Sequence, residues 1–203
     1  MEVKMIKTGL LQENTYVISK EEFCVVIDPG SDVDKINDYL NSKNLKVKAI
    51  LLTHGHYDHI GAAKDLSLIG NCKIYASIKE KEMLENPKLN GSWKYAKSPI
   101  SLDNVTYFDE EVILEIGEFK IEVIFLPGHS PGSVGYVIGD SIFTGDTLFK
   151  GTYGRTDLPG GSKSDMKHSL EYLLSFEEYY KVYPGHGDVT TIDKERDHYK
   201  VCK

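Results

Sequence analysis

Long apolar runs are missing from this chain. No stretch approaches the ~18 apolar residues of a membrane span. The opening residues, MEVKMIKTGLL, carry a charge every few positions and lack the apolar centre of a secretory signal. Cysteine is scarce: Cys24, Cys72 and Cys202 are odd in number and share no metal-type or redox-type spacing, which argues against a disulfide framework. Reduced thiols in a cytoplasmic protein are expected, those in strand-like surroundings acting as small apolar residues. A basic surplus is also missing. The net charge is -7 with no Lys/Arg stripe, so neither nucleic acid nor a membrane surface is the expected partner. No obligate protein partner is evident either. Disorder is not expected, because 40% hydrophobic residues can build a core and 27% charged residues is ordinary.

The 203 residues fit one domain, 1–203. Strand-like runs occupy 2–8, 15–18 and 23–27, the last broken by Asp28-Pro29-Gly30. Residues 32–42 read as a helix with Val33, Ile36 and Leu40 on one side. A strand at 47–52 runs into histidines, and 61–69 reads as helix. Residues 73–75 return to strand and 78–85 to helix. Residues 86–104 hold two prolines, a glycine and the only tryptophan without clean periodicity, and form a surface excursion. There Trp93 and Tyr95 either pack under the loop or line a substrate entrance. Strands return in 105–126 around a turn at Gly117, and in a hairpin at 133–143. A helix at 163–174 carries Met166, Leu170, Leu173 and Leu174 inward, and a last short strand ends at Val182-Tyr183. Helices and strands mix throughout, which suits a layered α/β architecture with helices covering sheets.

The chemistry lies at strand ends. The run Thr53-His54-Gly55-His56-Tyr57-Asp58-His59-Ile60-Gly61 puts three imidazoles and a carboxylate within six positions, directly after a buried strand. In extended chain His54 and His56 point to one side. Asp58 and His59 sit where the chain turns into helix and can face a second point. Neutral imidazoles and carboxylates are the usual ligands of zinc, iron and manganese. Three further positions repeat the arrangement of strand, turn and ligand: His129 in LPGHSPGSVGY, Asp146 in FTGDTLF and His186 in YPGHG. His168 and His198 match no motif and are expected at the surface.

The set HxHxDH followed by His129, Asp146 and His186 resembles the metallo-β-lactamase superfamily over essentially the whole chain. The resemblance implies a four-layer αββα sandwich with two divalent metal ions at one edge of the sheets, zinc first, with iron or manganese as alternatives. It implies His54, His56 and His129 on one ion, Asp58, His59 and His186 on the other, and Asp146 bridging. Asp58 would also orient the attacking hydroxide.

Within the superfamily, the motif strings look like the glyoxalase II group, hydrolases of hydroxyacyl thioesters. Ala62 departs from the glycine common there. Secreted β-lactamases of the best-known class carry cysteine at the place of Asp146. Ribonucleases of the superfamily want a basic face, and flavin-linked members place a glutamate inside the first motif. Only seventeen residues follow His186, so the glutathione grip of the longer enzymes does not carry over. The string Gly154-Arg155-Thr156-Asp157 resembles short bacterial relatives of glyoxalase II, and also iron-dependent persulfide dioxygenases, the second reading. A non-catalytic metal-binding or scaffold module is the third. The glycine-rich loop 150–161 starts beside Asp146, so Arg155 is expected to contact an acidic part of the substrate, with Tyr153 beside it. The alternative is that Arg155 pairs with Asp157 to hold the loop.

Overall fold

Alternation along the strands sets the layers. The computed structural model describes residues 1–201. Glu2–Thr8 (β1), Glu13–Lys20 (β2) and Phe23–Ile27 (β3) form an antiparallel meander. After helix Val33–Ser42 (α1) the chain continues in Lys46–Leu51 (β4), parallel to β3. Helices Tyr57–Ile60 (α2) and Ala63–Gly70 (α3) lead to Lys73–Ser77 (β5). Helices Lys81–Glu85 (α4) and Ser92–Tyr95 (α5) precede Val105–Phe108 (β6). The first sheet thus has six strands in chain order.

The second sheet starts with Ile113–Ile116 (β7), Phe119–Phe125 (β8), Val134–Ile138 (β9) and Ser141–Gly145 (β10). A two-stranded ribbon, Leu148–Phe149 (β11) and Thr152–Tyr153 (β12), and helix Lys163–Leu173 (α6) intervene. Lys181–Pro184 (β13), Thr190–Thr191 (β14) and helix Ile192–Val201 (α7) finish the chain. The order is β14-β13-β10-β9-β8-β7, with β10 and β13 parallel.

The long strands send alternate residues to different cores. Tyr16, Ile18, Val25, Ile27, Ala49 and Leu51 meet Ile121, Val123, Tyr136 and Phe143 between the sheets. Val17, Val26, Ile50 and Leu52 face the opposite way, against Ile36, Leu40 and Leu66 of α1 and α3. On the outer side of the second sheet, Ile124, Ile142 and Val182 pack against Met166, Leu170 and Leu173 of α6 and Ile192 of α7. This is the four-layer αββα sandwich of the metallo-β-lactamase fold. Among the described residues no helix is long and apolar enough to cross a membrane. Cys24 is buried and Cys72 half-buried, both free; Cys202 lies outside the described residues.

Several local readings change. The helix expected over 61–69 is α3, at Ala63–Gly70, and a separate short helix, α2, precedes it. That expected over 78–85 opens as a 3-10 turn capped by the Ser77 hydroxyl. Residues 192–201 are a helix, although the sequence there reads as a polar tail. Its few apolar residues give a weak period, and a tertiary tie compensates: buried Glu195 accepts from Gly151 N (2.8 Å) and Thr190 Oγ1 (2.6 Å). The excursion at 86–104 is pinned from inside. Buried Asn90 donates to the carbonyls of Met83 (3.1 Å) and Ile100 (2.9 Å) and accepts from Ser92 N.

Two tyrosine hydroxyls lock the sheets together at the edge where the histidines lie. Tyr16 on β2 donates to the Pro184 carbonyl of β13, and Tyr136 on β9 donates to the Leu52 carbonyl after β4, each at 2.7 Å. Tyr136 is fully buried, so Tyr136→Phe strips the Leu52 carbonyl of this donor without changing volume much. The expected loss is about 1–3 kcal/mol of stability, read as a lower denaturation midpoint in urea. An unchanged midpoint contradicts this account of the inter-sheet lock.

Candidate metal centre

Four strands deliver the candidate ligands to one edge. β4 ends just before His54 and His56, and α2 then carries Asp58 and His59. β8 leads to His129, β10 to Asp146 and β13 to His186. Seven side chains scattered over more than a hundred positions therefore meet because strand ends of both sheets share this edge.

They form two groups. His54, His56 and His129 converge, as do Asp58, His59 and His186. In the first, His56 Nδ1 and His129 Nε2 are 2.8 Å apart. In the second, His186 Nε2 lies 3.2 Å from Asp58 Oδ2. Asp146 stands between them, with Oδ1 3.3 Å from His59 Nε2 and Oδ2 3.5 Å from His129 Nε2. Gly185 makes room for it, since a Cβ there would collide with the Asp146 carboxylate and the His59 ring.

Residues behind the groups set which ring nitrogens face the centre. Thr53 Oγ1 donates to Asp28 Oδ2 (2.6 Å), leaving its lone pair for His54 Nδ1 at 3.0 Å. His59 Nδ1 also meets Asp28 Oδ2, at 3.0 Å. His129 Nδ1–H donates to the Arg155 carbonyl at 2.7 Å. Each bond commits one nitrogen and turns the other inward as a lone-pair donor. Asp28 also clusters with His54 and His59, but its oxygens are occupied by these bonds and by Thr53 N. It serves as an orienting group.

Sequence reasoning missed Asp28, because an acid before Pro-Gly reads as turn chemistry. It also missed Glu13 and Glu80. Glu13 is buried beside His59, with Oε1 4.0 Å from Nδ1 and Oε2 held by Thr8 and Thr15. A glutamate within a strand or helix carries no pattern that announces such a place.

Charge is distributed unevenly. Burial and then neighbouring imidazoles hold His54 well below the usual histidine range; burial and His129 bring His56 down to about 4. Burial also works against a charged His59, but Asp146 and Asp58 overcome it and raise its pKa well above the ordinary value. Burial would raise Asp146, yet His59, His129 and His186 hold it low; Asp58 is lowered against burial by His59 and His186. Among the described residues, His54 Nε2, His59 Nε2 and Asp146 Oδ1 are buried polar atoms with no hydrogen-bond partner. Orphaned buried donors and acceptors are costly. Their convergence in a set of imidazoles and carboxylates fits divalent cations.

The loop residues are placed as follows. The Arg155 guanidinium makes a bidentate pair with Asp157, at 2.7 and 2.8 Å, and is exposed. The expected hold on a substrate carboxylate thus meets a competing partner within the loop, and what Arg155 gives the centre is its backbone carbonyl. Tyr153 stands half-exposed on β12. Tyr95 stacks on Tyr57, with ring centroids 6.0 Å apart, and lines a cavity of about 740 Å³ that reaches Asp58. Leu10, Leu11, Val33 and Ile100 supply its apolar walls. Trp93 is exposed, as are His168 and His198.

The fold and the shared edge define the class. The metallo-beta-lactamase superfamily model matches residues 8–186, and the chain belongs to that superfamily. It is 38% identical to the probable metallo-hydrolase YqgX of Bacillus subtilis, over 97% of this chain and 95% of that protein. It is 32% identical to the hydroxyacylglutathione hydrolase GloC of Haemophilus influenzae, with the same coverage. Among solved structures, BLEG-1, a B3 metallo-beta-lactamase, superimposes with a TM-score of 0.93 at 38% identity, covering 97% of each chain. TTHA1623, in a di-iron-bound form, gives 0.85 at 36% identity, covering 95% of this chain and 96% of that one. The chain is a metallo-hydrolase of this superfamily with histidines and aspartates able to hold metal.

Metal and protons compete for the same nitrogens. Burial and neighbouring imidazoles disfavour the protonated forms of His54 and His56, whereas Asp146 and Asp58 favour that of His59 in the metal-free protein. Acidification should therefore release metal first from the group of Asp58, His59 and His186. Elemental analysis after dialysis at stepped pH reads this as loss of one ion before the other, and simultaneous loss of both contradicts it.

Proposed function

We propose that the protein is a binuclear metallohydrolase that cleaves a hydroxyacyl thioester. The observation that carries this reading is the position of Asp146 between two complete ligand groups. The relationship to GloC supports the choice of substrate. His54, His56 and His129 would hold one ion, Asp58, His59 and His186 the other, with Asp146 bridging. Zinc is the first choice, and iron is supported by the di-iron form of TTHA1623; manganese is the remaining alternative.

When bound, such ions lower the pKa of a water to near neutrality and polarise the substrate carbonyl. The chain's own residues do the rest. Asp58 is held as a carboxylate and engages His186 through Oδ2. Its other oxygen is free to accept a hydrogen bond from the attacking water and to aim its lone pair at the carbonyl carbon. Asp28, through His59 and Thr53, keeps the rings from turning as charge develops. A thiolate leaving group needs little protonation, because a thiol has a pKa near ~8.5. The cavity beside Asp58 offers the apolar walls of Leu10, Leu11 and Tyr95 to the part of the substrate away from the carbonyl.

The test is a hydrolysis assay with S-D-lactoylglutathione and simple hydroxyacyl thioesters, run beside an oxygen electrode with glutathione persulfide and a chromogenic β-lactam. Thioester cleavage without oxygen uptake, by protein holding close to two ions per chain, is expected. Oxygen uptake without cleavage would move the assignment to a mononuclear iron persulfide dioxygenase. The similarity to BLEG-1 favours β-lactam hydrolysis as the other reading, and activity on that substrate alone would establish it. No turnover of any of them would leave a metal-binding scaffold. Asp58→Asn should lower kcat by about 10²–10⁴-fold and weaken metal retention at the group of Asp58, His59 and His186. Because Arg155 is tied to Asp157 in solvent, Arg155→Ala should change KM for anionic and neutral thioesters alike, by less than about fivefold. A large loss confined to anionic substrates would restore its role as a substrate contact.

A further inference from the structure

Glu80 lies outside the candidate ligand set, yet it is completely buried and its carboxylate touches two ligand loops at once. Oε2 accepts from Gly55 N at 2.7 Å, the residue between His54 and His56. Oε1 accepts from Gly132 N at 2.7 Å and from Ser130 Oγ at 2.8 Å, in the loop that begins with His129. Ser130 Oγ is 2.7 Å from Ser133 Oγ, which in turn meets Ser130 N at 3.1 Å, so the second loop is itself tied. Both glycines are shaped to this approach. A Cβ on Gly55 would lie 3.1 Å from Glu80 Oε2, and one on Gly132 would lie 2.9 Å from Glu80 Cγ. The two loops come from different sheets, after β4 and after β8, and Glu80 arrives from a third place, the turn after β5.

We propose that Glu80 is a positioning residue that clamps the His54/His56 loop to the His129 loop and so sets metal affinity at the three-histidine group, while leaving the Asp58/His59/His186 group untouched. The asymmetry follows from the contacts. Each of Glu80's three hydrogen bonds ends on a residue adjacent to a histidine of the first group or in the same turn. Asp58, His59 and His186 are oriented from elsewhere: His59 by Asp28, and His186 by the β13 turn, whose Gly185 carbonyl accepts from Asn14 N. A buried carboxylate with three donors is worth its desolvation only while all three stay aligned. Gln in its place would turn an amide NH₂ toward either Gly55 N–H or the Ser130 and Gly132 donors, and one loop would be released. Loss of an orienting partner of this kind typically weakens metal binding about 10–100-fold.

The inference rests on the two ligand groups proposed above, and the experiment separates the two claims. Metal-loaded protein is dialysed against graded chelator and retained Zn²⁺ is counted, in two backgrounds. In His186→Ala the three-histidine group alone is complete, and Glu80→Gln should shift the chelator midpoint about 10–100-fold toward easier loss. In His56→Ala only the other group is complete, and Glu80→Gln should leave the midpoint unchanged. If neither background retains metal, the ligand assignment fails. If the His186→Ala background retains metal and Glu80→Gln has no effect there, or weakens both backgrounds equally, the clamp is overturned. Leu84→Ala, in the core just beyond Glu80, controls for general loosening: it should lower the unfolding midpoint and leave metal retention alone, and an equal loss of metal would also overturn the proposal. If Glu80→Gln does not fold, Ser130→Ala removes one of the three donors; a smaller loss at the three-histidine group supports the clamp, and no loss there defeats it.

Discussion

The structure depends on holding two twisted sheets in fixed relation at a single edge. Hydrophobic burial between them is non-directional and permits sliding, whereas a ligand set drawn from both sheets tolerates almost none. The directional element is a small number of buried hydrogen bonds across the seam. Tyr16 reaches from the first sheet to the Pro184 carbonyl, and Tyr136 reaches from the second to the Leu52 carbonyl. Asn14 adds bonds to the carbonyls of Pro184 and Gly187 on either side of His186. Val134 N donates to Thr53 O, beside His54. The apolar core brings the sheets together, and these bonds choose the register in which the histidines meet.

Around the centre lie three buried carboxylates, Glu13, Asp28 and Glu80, and, within it, the partly buried Asp146. Burying an acid is costly unless its oxygens are satisfied or a positive partner stands close. Asp28 and Glu80 meet that condition through donors from Thr53, Gly55, Ser130 and Gly132. Asp146 meets it through His59 and the imidazoles around it. Glu13 meets it for one oxygen only, and burial raises its pKa well above the ordinary carboxylate range. Asp146 and Asp58 favour the protonated form of His59 against burial, whereas burial and the neighbouring imidazoles disfavour it at His54.

Much of this was legible in advance. His54, His56, Asp58 and His59 announce themselves because their spacing after an apolar strand is improbable for a surface loop. His129, Asp146 and His186 each repeat the context of strand end, turn and ligand, although each is weak alone. The longer strands were readable as short apolar runs bounded by turn residues, unlike β11, β12 and β14, and α1 and α6 from their one-sided apolar positions. The tail helix α7 was not, because Ile192 is almost its only strongly apolar inward residue and Glu195, a polar one, is buried by contacts from distant chain. Arg155 had two readings in the sequence. A cation in a glycine-rich loop beside the centre suggests a ligand contact or a tie to Asp157, and the coordinates show Asp157 taking both guanidinium bonds.

Sequence alone determined the chemistry available: which side chains can donate lone pairs, which elements precede them, and therefore the fold class and the candidate ligand set. Those properties are local, set by residue type and by periodicity over a few positions. Tertiary structure decided the division of labour. It brought the expected groups of three together with Asp146 between, turned the His54, His59 and His129 rings through Thr53, Asp28 and the Arg155 carbonyl, and placed Glu80 between two loops some 75 positions apart. Such assignments depend on distances between residues far apart in the chain, and hydrogen bonds lose their strength over a few tenths of an ångström. No local pattern encodes a separation that fine.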